Sequence, residues 1–245
     1  MSIFLRECDI TNPKREDFPY CLPLFNKGLN IKFNNSVTFI VGDNGSGKST
    51  LLENIAHCIG FNILGGNRNH NYRTALKDNV ALSDNTKLIW STKTSNGFFM
   101  RAESFLDFAE YLDEMTGGNT SYLGAYGGKS LNHQSHGEAF LSLFNNKFSK
   151  GIFILDEPEA ALSPQRQLSL LRIIHDLTQK NDAQFIIATH SPMLMAFPNA
   201  TLFVIEDGEM RKEDYKNTMH FQLTKRFLDS PEQYLRRLFN DDEAL

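Results

Sequence analysis

Apolar residues recur along this chain in two alternating patterns, short continuous runs and repeats at helical spacing. The run over residues 37–41 predicts a buried strand, and the repeat over 49–59 predicts the helix that follows it. Later runs at 152–155, 184–188 and 201–205 have the length and composition of strands that are buried on both faces. Because strands alternate with helices, we expect an α/β sandwich around a parallel sheet.

The middle of the chain predicts a hairpin and two helices. Residues 87–91 and 97–101 have the composition of strands and flank a Ser-Asn-Gly turn, so we expect them to form a hairpin. Apolar residues at helical spacing predict helices over 104–115 and 137–148. This part of the chain therefore contributes both β and α elements.

Two further helix starts are marked by a serine followed by a proline. Ser163 and Pro164 supply an N-cap and a first-turn residue, and residues 230–233 add a glutamine in the capping-box position. The residues expected on the inner face of the first of these helices are Leu168, Leu171, Ile174 and Leu177.

The composition is that of an ordinary globular protein, with 41% hydrophobic and 22% charged residues in a chain of 245. This length fits one large domain with a subdomain. The formal net charge of −4 argues against a protein that coats nucleic acid through a strongly basic surface. Three scattered cysteines argue against disulfides and a zinc site and favour a reducing cytoplasm. We expect no signal peptide and no segment inserted into a membrane.

Residues 42–49 match the phosphate-binding pattern G-x-x-x-x-G-K-[ST] at every fixed position, between a predicted strand and a predicted helix. Glycines in such a loop let backbone N–H groups surround phosphates at the positive end of a helix. Lys48 would contact the β- and γ-phosphates of a nucleotide, and Ser49 would be a ligand of Mg²⁺. The residues predicted to bind the phosphates are Asn44, Gly45, Ser46, Gly47, Lys48, Ser49 and Thr50.

Acidic residues and a histidine follow two of the other predicted strands. Asp156 ends one strand, where it can hold Mg²⁺ through water, and the adjacent Glu157 would polarise an attacking water. His190 follows the next strand and would reach the same edge of the sheet, where it would contact the γ-phosphate and orient the water. The predicted catalytic residues are Glu157 and His190, and the predicted metal ligands are Ser49 and Asp156.

A second anion site is predicted where Ser135, His136, Gly137 and Glu138 open a helix. Serine and glycine at a helix N-terminus can bind a phosphate through backbone N–H groups. One chain would then contain two phosphate-binding helix starts. This arrangement makes sense if the second start contacts the nucleotide of another protomer.

The order of these motifs resembles that of the ABC-type ATPases, and the match covers residues 37–205. Ser-His-Gly-Glu-Ala-Phe-Leu, Leu-Asp-Glu-Pro-Glu-Ala-Ala-Leu and Ile-Ile-Ala-Thr-His-Ser-Pro resemble the non-transporter branch, which includes RecF-like, SMC-like and phage-defence ATPases. The resemblance implies an α/β P-loop NTPase fold with a parallel-sheet core, an N-terminal antiparallel β part and a small helical subdomain. It assigns residues 1–103 and 149–205 to the nucleotide-binding core, 104–148 to the helical subdomain and 206–245 to a C-terminal extension.

The resemblance also implies ATP and Mg²⁺ as cofactors and a homodimer that encloses ATP. In that dimer, Ser135 and Gly137 of one chain would lie over the γ-phosphate bound by Lys48 of the other. The protein would hydrolyse ATP as a cytoplasmic switch on a protein effector, such as a nuclease or toxin, or on DNA, in phage defence or DNA repair.

Two alternative functions remain open at this point, the nucleotide-binding subunit of an ABC transporter and an ATP sensor with little hydrolysis. The apolar helix after Glu138 lacks the basic residues that are typical of transporter subunits. Glu157 and His190 favour hydrolysis over sensing alone. The aromatic residues of the C-terminal extension, Phe221, Phe227, Tyr234 and Phe239, are the first place to look for a partner-binding face.

The chain departs from the family pattern at two places. No glutamine ends the strand before the helical subdomain, so Arg101 or Glu103 would take the place of that residue. Phe18 and Tyr20 are candidates for stacking on adenine, although packing in the core is the expected role of either ring.

Overall fold

The structure is a computed structural model. It describes residues 3–63, 65–67, 81–105, 108, 110–111, 114, 138, 141–142, 144, 150–180 and 183–239. Its strands are β1 (Leu5–Ile10), β2 (Leu29–Lys32), β3 (Val37–Gly42), β4 (Thr86–Trp90), β5 (Gly97–Arg101), β6 (Gly151–Asp156), β7 (Ala183–Ala188), β8 (Thr201–Glu206) and β9 (Glu209–Lys212). Its helices are α1 (Lys48–Ile59), α2 (Pro164–Gln179), α3 (Pro192–Met195), α4 (Met219–Asp229) and α5 (Pro231–Phe239).

A mixed sheet forms the centre of the part of the chain that the structure describes. Its six strands have the order β5-β6-β7-β3-β8-β9, and all neighbouring pairs are parallel except β8 and β9. Every residue of β3, β6 and β7 is buried, as expected for strands that are covered on both faces. The predicted α/β architecture with a parallel-sheet core is confirmed.

A second, antiparallel sheet of order β2-β1-β4 forms the expected N-terminal β part, but it corrects the predicted hairpin. β4 pairs with β1, whereas β5 pairs in parallel with β6. The two strands differ in burial, because β4 alternates between half-buried and exposed residues and the centre of β5 is continuously buried. Gly97, at φ +139°, allows this change of sheet, because a Cβ there would lie 1.8 Å from the carbonyl oxygen of Ile152.

Helix α1 begins and ends where the sequence predicts. Gly60 terminates it in the left-handed conformation and donates its N–H to carbonyls of the last turn. Helix α2 also begins as predicted, after Ser163, although the serine side chain makes no capping hydrogen bond.

The predicted inner face of α2 is partly wrong. Leu168 is 55% exposed, while the buried positions include two polar residues, Gln167 and Thr178. The hydroxyl of Thr178 donates to the carbonyl of Ile174, and the amide of Gln167 donates to that of Leu162. These local hydrogen bonds offset the cost of removing the two polar side chains from water.

Two apolar clusters cover the faces of the central sheet. One contains Phe39, Phe153 and Phe185 together with the inner face of α2, and the other contains Phe203 and the inner face of α1. The described residues of the two predicted middle helices are helical from Phe105 onward, and Phe105, Phe108 and Phe144 belong to the first cluster. Most of the phenylalanines that the structure describes are therefore core residues.

The C-terminal residues add two elements that the sequence patterns do not predict, β9 and α4, before the predicted helix α5. Strand β9 extends the central sheet, and α4 contacts α3 and α5. Within the described residues, no helix is both long enough and apolar enough to cross a membrane.

Candidate functional site

The loop between β3 and α1 has the conformation that the phosphate-binding pattern requires. Gly47 precedes the first helical residue at φ +97°, in the left-handed region. A Cβ there would lie 3.3 Å from the side chains of Leu24 and Phe25, so glycine is favoured by both conformation and space. The loop brings the N-terminus of α1 to the carboxyl edge of the parallel sheet, where ligands bind in folds of this kind.

Lys48, the first residue of α1, is 4% exposed and turns back over the loop. Its ammonium donates to the carbonyl oxygens of Gly42 and Asp43, at 2.7 and 2.8 Å. Burial lowers the pKa of Lys48, and the carboxylates of Glu157 and Asp156 oppose this effect. The cation is therefore held at the edge where both acidic residues lie.

Asp156 is the last residue of β6 and is 4% exposed. Burial raises its pKa to about 6, while a hydrogen bond from Ser49 and the charge of Arg101 act in the opposite direction. Its Oδ1 is buried and has no hydrogen-bond partner among the described residues. A buried carboxylate oxygen without a partner, beside a serine hydroxyl, fits the ligand set that Mg²⁺ takes from a protein when nucleotide phosphates supply other ligands.

No group of three or more His, Cys, Asp or Glu side chains gathers as a metal site in the described ranges. A Mg²⁺ ion held mainly by phosphates and water needs no such group, because it commonly uses one or two protein ligands. The donor set of Ser49 and Asp156 is therefore compatible with Mg²⁺ bound together with a nucleotide and not with an all-protein metal centre.

Glu157 and His190 lie side by side, after β6 and β7 respectively. The Nε2 of His190 is 3.2 Å from the Oε1 of Glu157, and the two side chains are 27% and 41% exposed. Glu157 adopts φ +49°, and its N–H donates to the carbonyl of Ala188. An outlying backbone conformation fixed by a hydrogen bond between strand ends is typical of functional positions.

A second glutamate, Glu159, fixes the backbone at His190. Its Oε1 accepts the N–H of His190 at 2.5 Å, and it also accepts a hydrogen bond from Thr189. Burial raises the pKa of Glu159. The acidic turn after β6 is thus connected directly to the loop after β7.

Arg101 and Glu103, the proposed substitutes for the family glutamine, are both near Asp156. Arg101 pairs with Glu53 of α1 and with Glu103, and its Nε is 3.5 Å from the Oδ2 of Asp156. The side chain of Glu103 is 72% exposed, against 17% for Arg101. Of the two residues, Arg101 is therefore the more buried one at the edge of the sheet.

Phe18 and Tyr20 differ sharply in their environments. A cavity of about 350 Å³ beside the P-loop is lined by Phe18 together with Lys48, Thr50 and Glu157. Phe18 is 46% exposed, whereas Tyr20 is 1% exposed and its hydroxyl bonds to Ala81 and Asn85. Tyr20 is therefore a core residue, whereas Phe18 has a partly exposed ring at the predicted nucleotide site.

The signature residues Ser135, His136 and Gly137 lie outside the described residues. Glu138 is in a helix and forms an ion pair of 3.2 Å with Arg166 of α2.

Sequence reasoning missed three residues of this site, Glu53, Glu159 and His220. Glu159 could have been found, because it lies two residues after Glu157 in the same motif. Glu53 and His220 carry no motif, and only the fold brings Glu53 to Arg101 and His220 to His190.

Two family models match parts of the chain. Residues 21–107 match the model described as "AAA domain", and residues 139–196 match the one described as "AAA domain, putative AbiEii toxin, Type IV TA system". The first segment contains the P-loop, and the second contains Asp156, Glu157 and His190. No curated protein matches the chain.

Solved structures with the same fold include a component of an ABC transporter and an SMC head. One is cbiO1 from Clostridium perfringens, part of the ABC transporter complex cbiONQ, with 17% identity, a TM-score of 0.52, and coverage of 96% of this chain and 99% of that one. Another is an SMC head bound to the C-winged helix domain of ScpA, with 14% identity, a TM-score of 0.52, and coverage of 86% and 98%. The chain therefore has the fold of the ABC-type P-loop ATPases, and its motifs resemble those of the RecF-like, SMC-like and defence ATPases.

Proposed function

We propose that this protein binds ATP with Mg²⁺ and hydrolyses it. The observation that supports this proposal best is the meeting of Lys48, Asp156 and the Glu157–His190 pair at one edge of the sheet. The P-loop residues 44–50 bind the phosphates, and Ser49 and Asp156 hold Mg²⁺. When bound, the ion neutralises charge on the phosphates.

The chain's own residues have distinct roles in this reaction. Lys48 binds the β- and γ-phosphates, and Glu157 accepts a hydrogen bond from the attacking water and orients it. His190 contacts the γ-phosphate and holds the water in place. Arg101 substitutes for the family glutamine next to Asp156, and Phe18 stacks on the adenine ring.

We further propose that ATP joins two copies of the chain in a sandwich dimer. The signature residues of one copy, Ser135, His136, Gly137 and Glu138, would complete the phosphate site of the other. The exposure of Glu157 supports this proposal, because a side chain that is 41% exposed at the site is accessible to a second copy. ATP binding would close the dimer and hydrolysis would open it.

This switch acts on an effector protein, such as a nuclease or toxin, or on DNA. The process is a cytoplasmic one, such as phage defence or DNA repair. An SMC head of the same fold has been solved with a protein domain bound, which supports a search for protein partners first. The C-terminal extension, residues 206–245, carries Phe227 and Phe239 at 39% and 72% exposure and is the first surface to test.

The test of the dimer uses Glu157→Gln, which should retain ATP but not hydrolyse it. Size-exclusion chromatography with Mg²⁺ and ATP should show a dimer for this variant and a monomer without nucleotide. Adding Ser135→Arg should abolish the dimer while leaving nucleotide binding within about twofold. A monomer in every condition would contradict the sandwich, and a dimer that forms without ATP would contradict its control by nucleotide.

A further inference from the structure

His190 is paired with a second histidine that comes from the C-terminal part of the chain. His220, the second residue of α4, places its Nε2 2.8 Å from the Nδ1 of His190. The two ring centroids are 4.9 Å apart, with an interplanar angle of 48°. The distance is that of a hydrogen bond in which one nitrogen donates and the other accepts.

The surroundings of His190 determine which nitrogen donates. Its Nε2 is buried and lies 3.2 Å from the Oε1 of Glu157, without a hydrogen bond to any described residue. At this distance the negative carboxylate attracts an N–H and repels a nitrogen lone pair. The proton of a neutral His190 is therefore favoured on Nε2, which leaves Nδ1 as an acceptor. The matching donor is the Nε2–H of His220.

The start of α4 is anchored, so that His220 is held in this position. The hydroxyl of Thr218, which is 3% exposed, accepts the N–H of Phe221 and donates to the carbonyl of Tyr215. It also lies 3.9 Å from the sulfur of Met195 in α3, the helix that follows His190. The two histidines are thus attached to neighbouring elements that pack against each other.

We propose that His220 is a positioning residue for ATP hydrolysis: it holds His190 as the Nε2–H tautomer, with that N–H on the side of Glu157 and the phosphate site. The inference rests on the proposed function, because it requires that His190 takes part in hydrolysis. It also connects the C-terminal extension to the site, since displacement of α4 would remove the donor.

The charge state of His220 agrees with this role. Burial lowers its pKa, the charge of Lys48 acts in the same direction, and Asp43 opposes them. A neutral His220 has one N–H, and in this arrangement that N–H is the donor to His190.

The test compares two substitutions that differ in one hydrogen-bond donor. In His220→Gln the amide nitrogen can replace Nε2–H, whereas His220→Leu keeps an apolar side chain without a donor. We expect kcat to fall about tenfold or more in His220→Leu, with KM unchanged, and to stay within about threefold in His220→Gln. Met219→Leu, at a position that is 74% exposed, is the matched control. Equal kcat in the two His220 variants would overturn the inference.

A second measurement does not depend on activity. Side-chain ¹⁵N NMR of the nucleotide-free protein should show His190 with Nε2 protonated and Nδ1 unprotonated in the wild type and in His220→Gln, and a tautomer mixture in His220→Leu. A protonated Nδ1 in the wild type, or an unchanged tautomer in His220→Leu, would overturn the inference alone. Absence of ATP turnover in the wild type would instead contradict the proposed function, and the spectra would still decide the histidine pair.

Discussion

Arg101 and Asp156 lie opposite each other in the register of β5 and β6, with the guanidinium Nε 3.5 Å from the carboxylate Oδ2. Arg101 also pairs with Glu53 of α1, whose side chain is 3% exposed. One cation thus connects the proposed metal ligand to the helix that begins at the P-loop. A change at Arg101 is therefore expected to affect both stability and the site.

Replacing Arg101 by the family residue, in Arg101→Gln, should destabilise the protein. The change removes the cation that pairs with the buried carboxylate of Glu53, and breaking such a pair costs about 3 kcal/mol. Adding Glu53→Gln should recover part of that loss, because it removes the buried negative charge as well. Urea unfolding of the two single variants and the double variant measures the coupling. Strictly additive effects would show that the pair contributes nothing of its own.

Asp156→Asn should stabilise the nucleotide-free protein while it abolishes Mg²⁺-dependent activity. Folding raises the pKa of Asp156 from 3.8 to about 6, so between these pH values the folded state binds the proton more tightly. The wild-type free energy of unfolding should therefore fall as pH rises through this window, by up to about 3 kcal/mol from this group. The free energy of unfolding of Asp156→Asn does not fall in this way, so the variant should be more stable than the wild type at pH 8.

The control for this prediction is Asp84→Asn, at an exposed position. Thermal unfolding of the three proteins at pH 4 and pH 8 makes the comparison. If Asp156→Asn unfolds at a lower temperature than the wild type at pH 8, burial is not the dominant effect on that carboxyl group.

Lys48→Ala should lose ATP almost completely, because no other cation in the described residues replaces its contact with the β- and γ-phosphates. Lys87→Ala removes an exposed lysine from β4 and changes the net charge by the same amount as Lys48→Ala, so it is the matched control. Isothermal titration calorimetry with Mg²⁺-ATP should show binding for the control and none for Lys48→Ala. Unchanged affinity in Lys48→Ala would rule out the phosphate-site assignment.

Phe18 and Tyr20 should respond oppositely to substitution. Phe18→Ala removes an exposed ring beside the P-loop and should weaken ATP binding about tenfold, within the range that base stacking contributes. Phe18→Tyr should retain the affinity. Tyr20→Phe removes the hydroxyl that bonds to Ala81 and Asn85, so it should lower stability by about 1 kcal/mol and leave ATP binding unchanged. Equal ATP affinity in Phe18→Ala and the wild type would exclude stacking.

The P-loop and the strand ends could be predicted because each depends on a local pattern. The glycine spacing determines the loop at residues 42–49, and continuous apolar runs give β6 and β7 and so place Asp156 and His190 at one edge. Parallel strands bring their carboxyl ends together whatever the details of the connections.

The missed features depend on contacts between distant residues. The strands β4 and β5 were expected to form a hairpin because a turn signal separates them, but β4 completes the sheet of β1 and β5 completes that of β6. The periodicity of apolar residues predicts Leu168 on the inner face of α2, and it does not reveal that Gln167 is buried instead. His220 carries no motif, and only the path of α4 brings it to His190.

We propose that the edge formed by Lys48, Asp156, Glu157 and His190 hydrolyses ATP. The most direct measurement is phosphate release from Mg²⁺-ATP by the wild type and by Glu157→Gln, with Glu209→Gln at an exposed position of β9 as the control, and with ATP affinity measured in parallel. We predict turnover by the wild type and the control, and a loss of about 100-fold or more in Glu157→Gln at similar ATP affinity. Equal turnover in all three proteins, or none in the wild type, would contradict the claim.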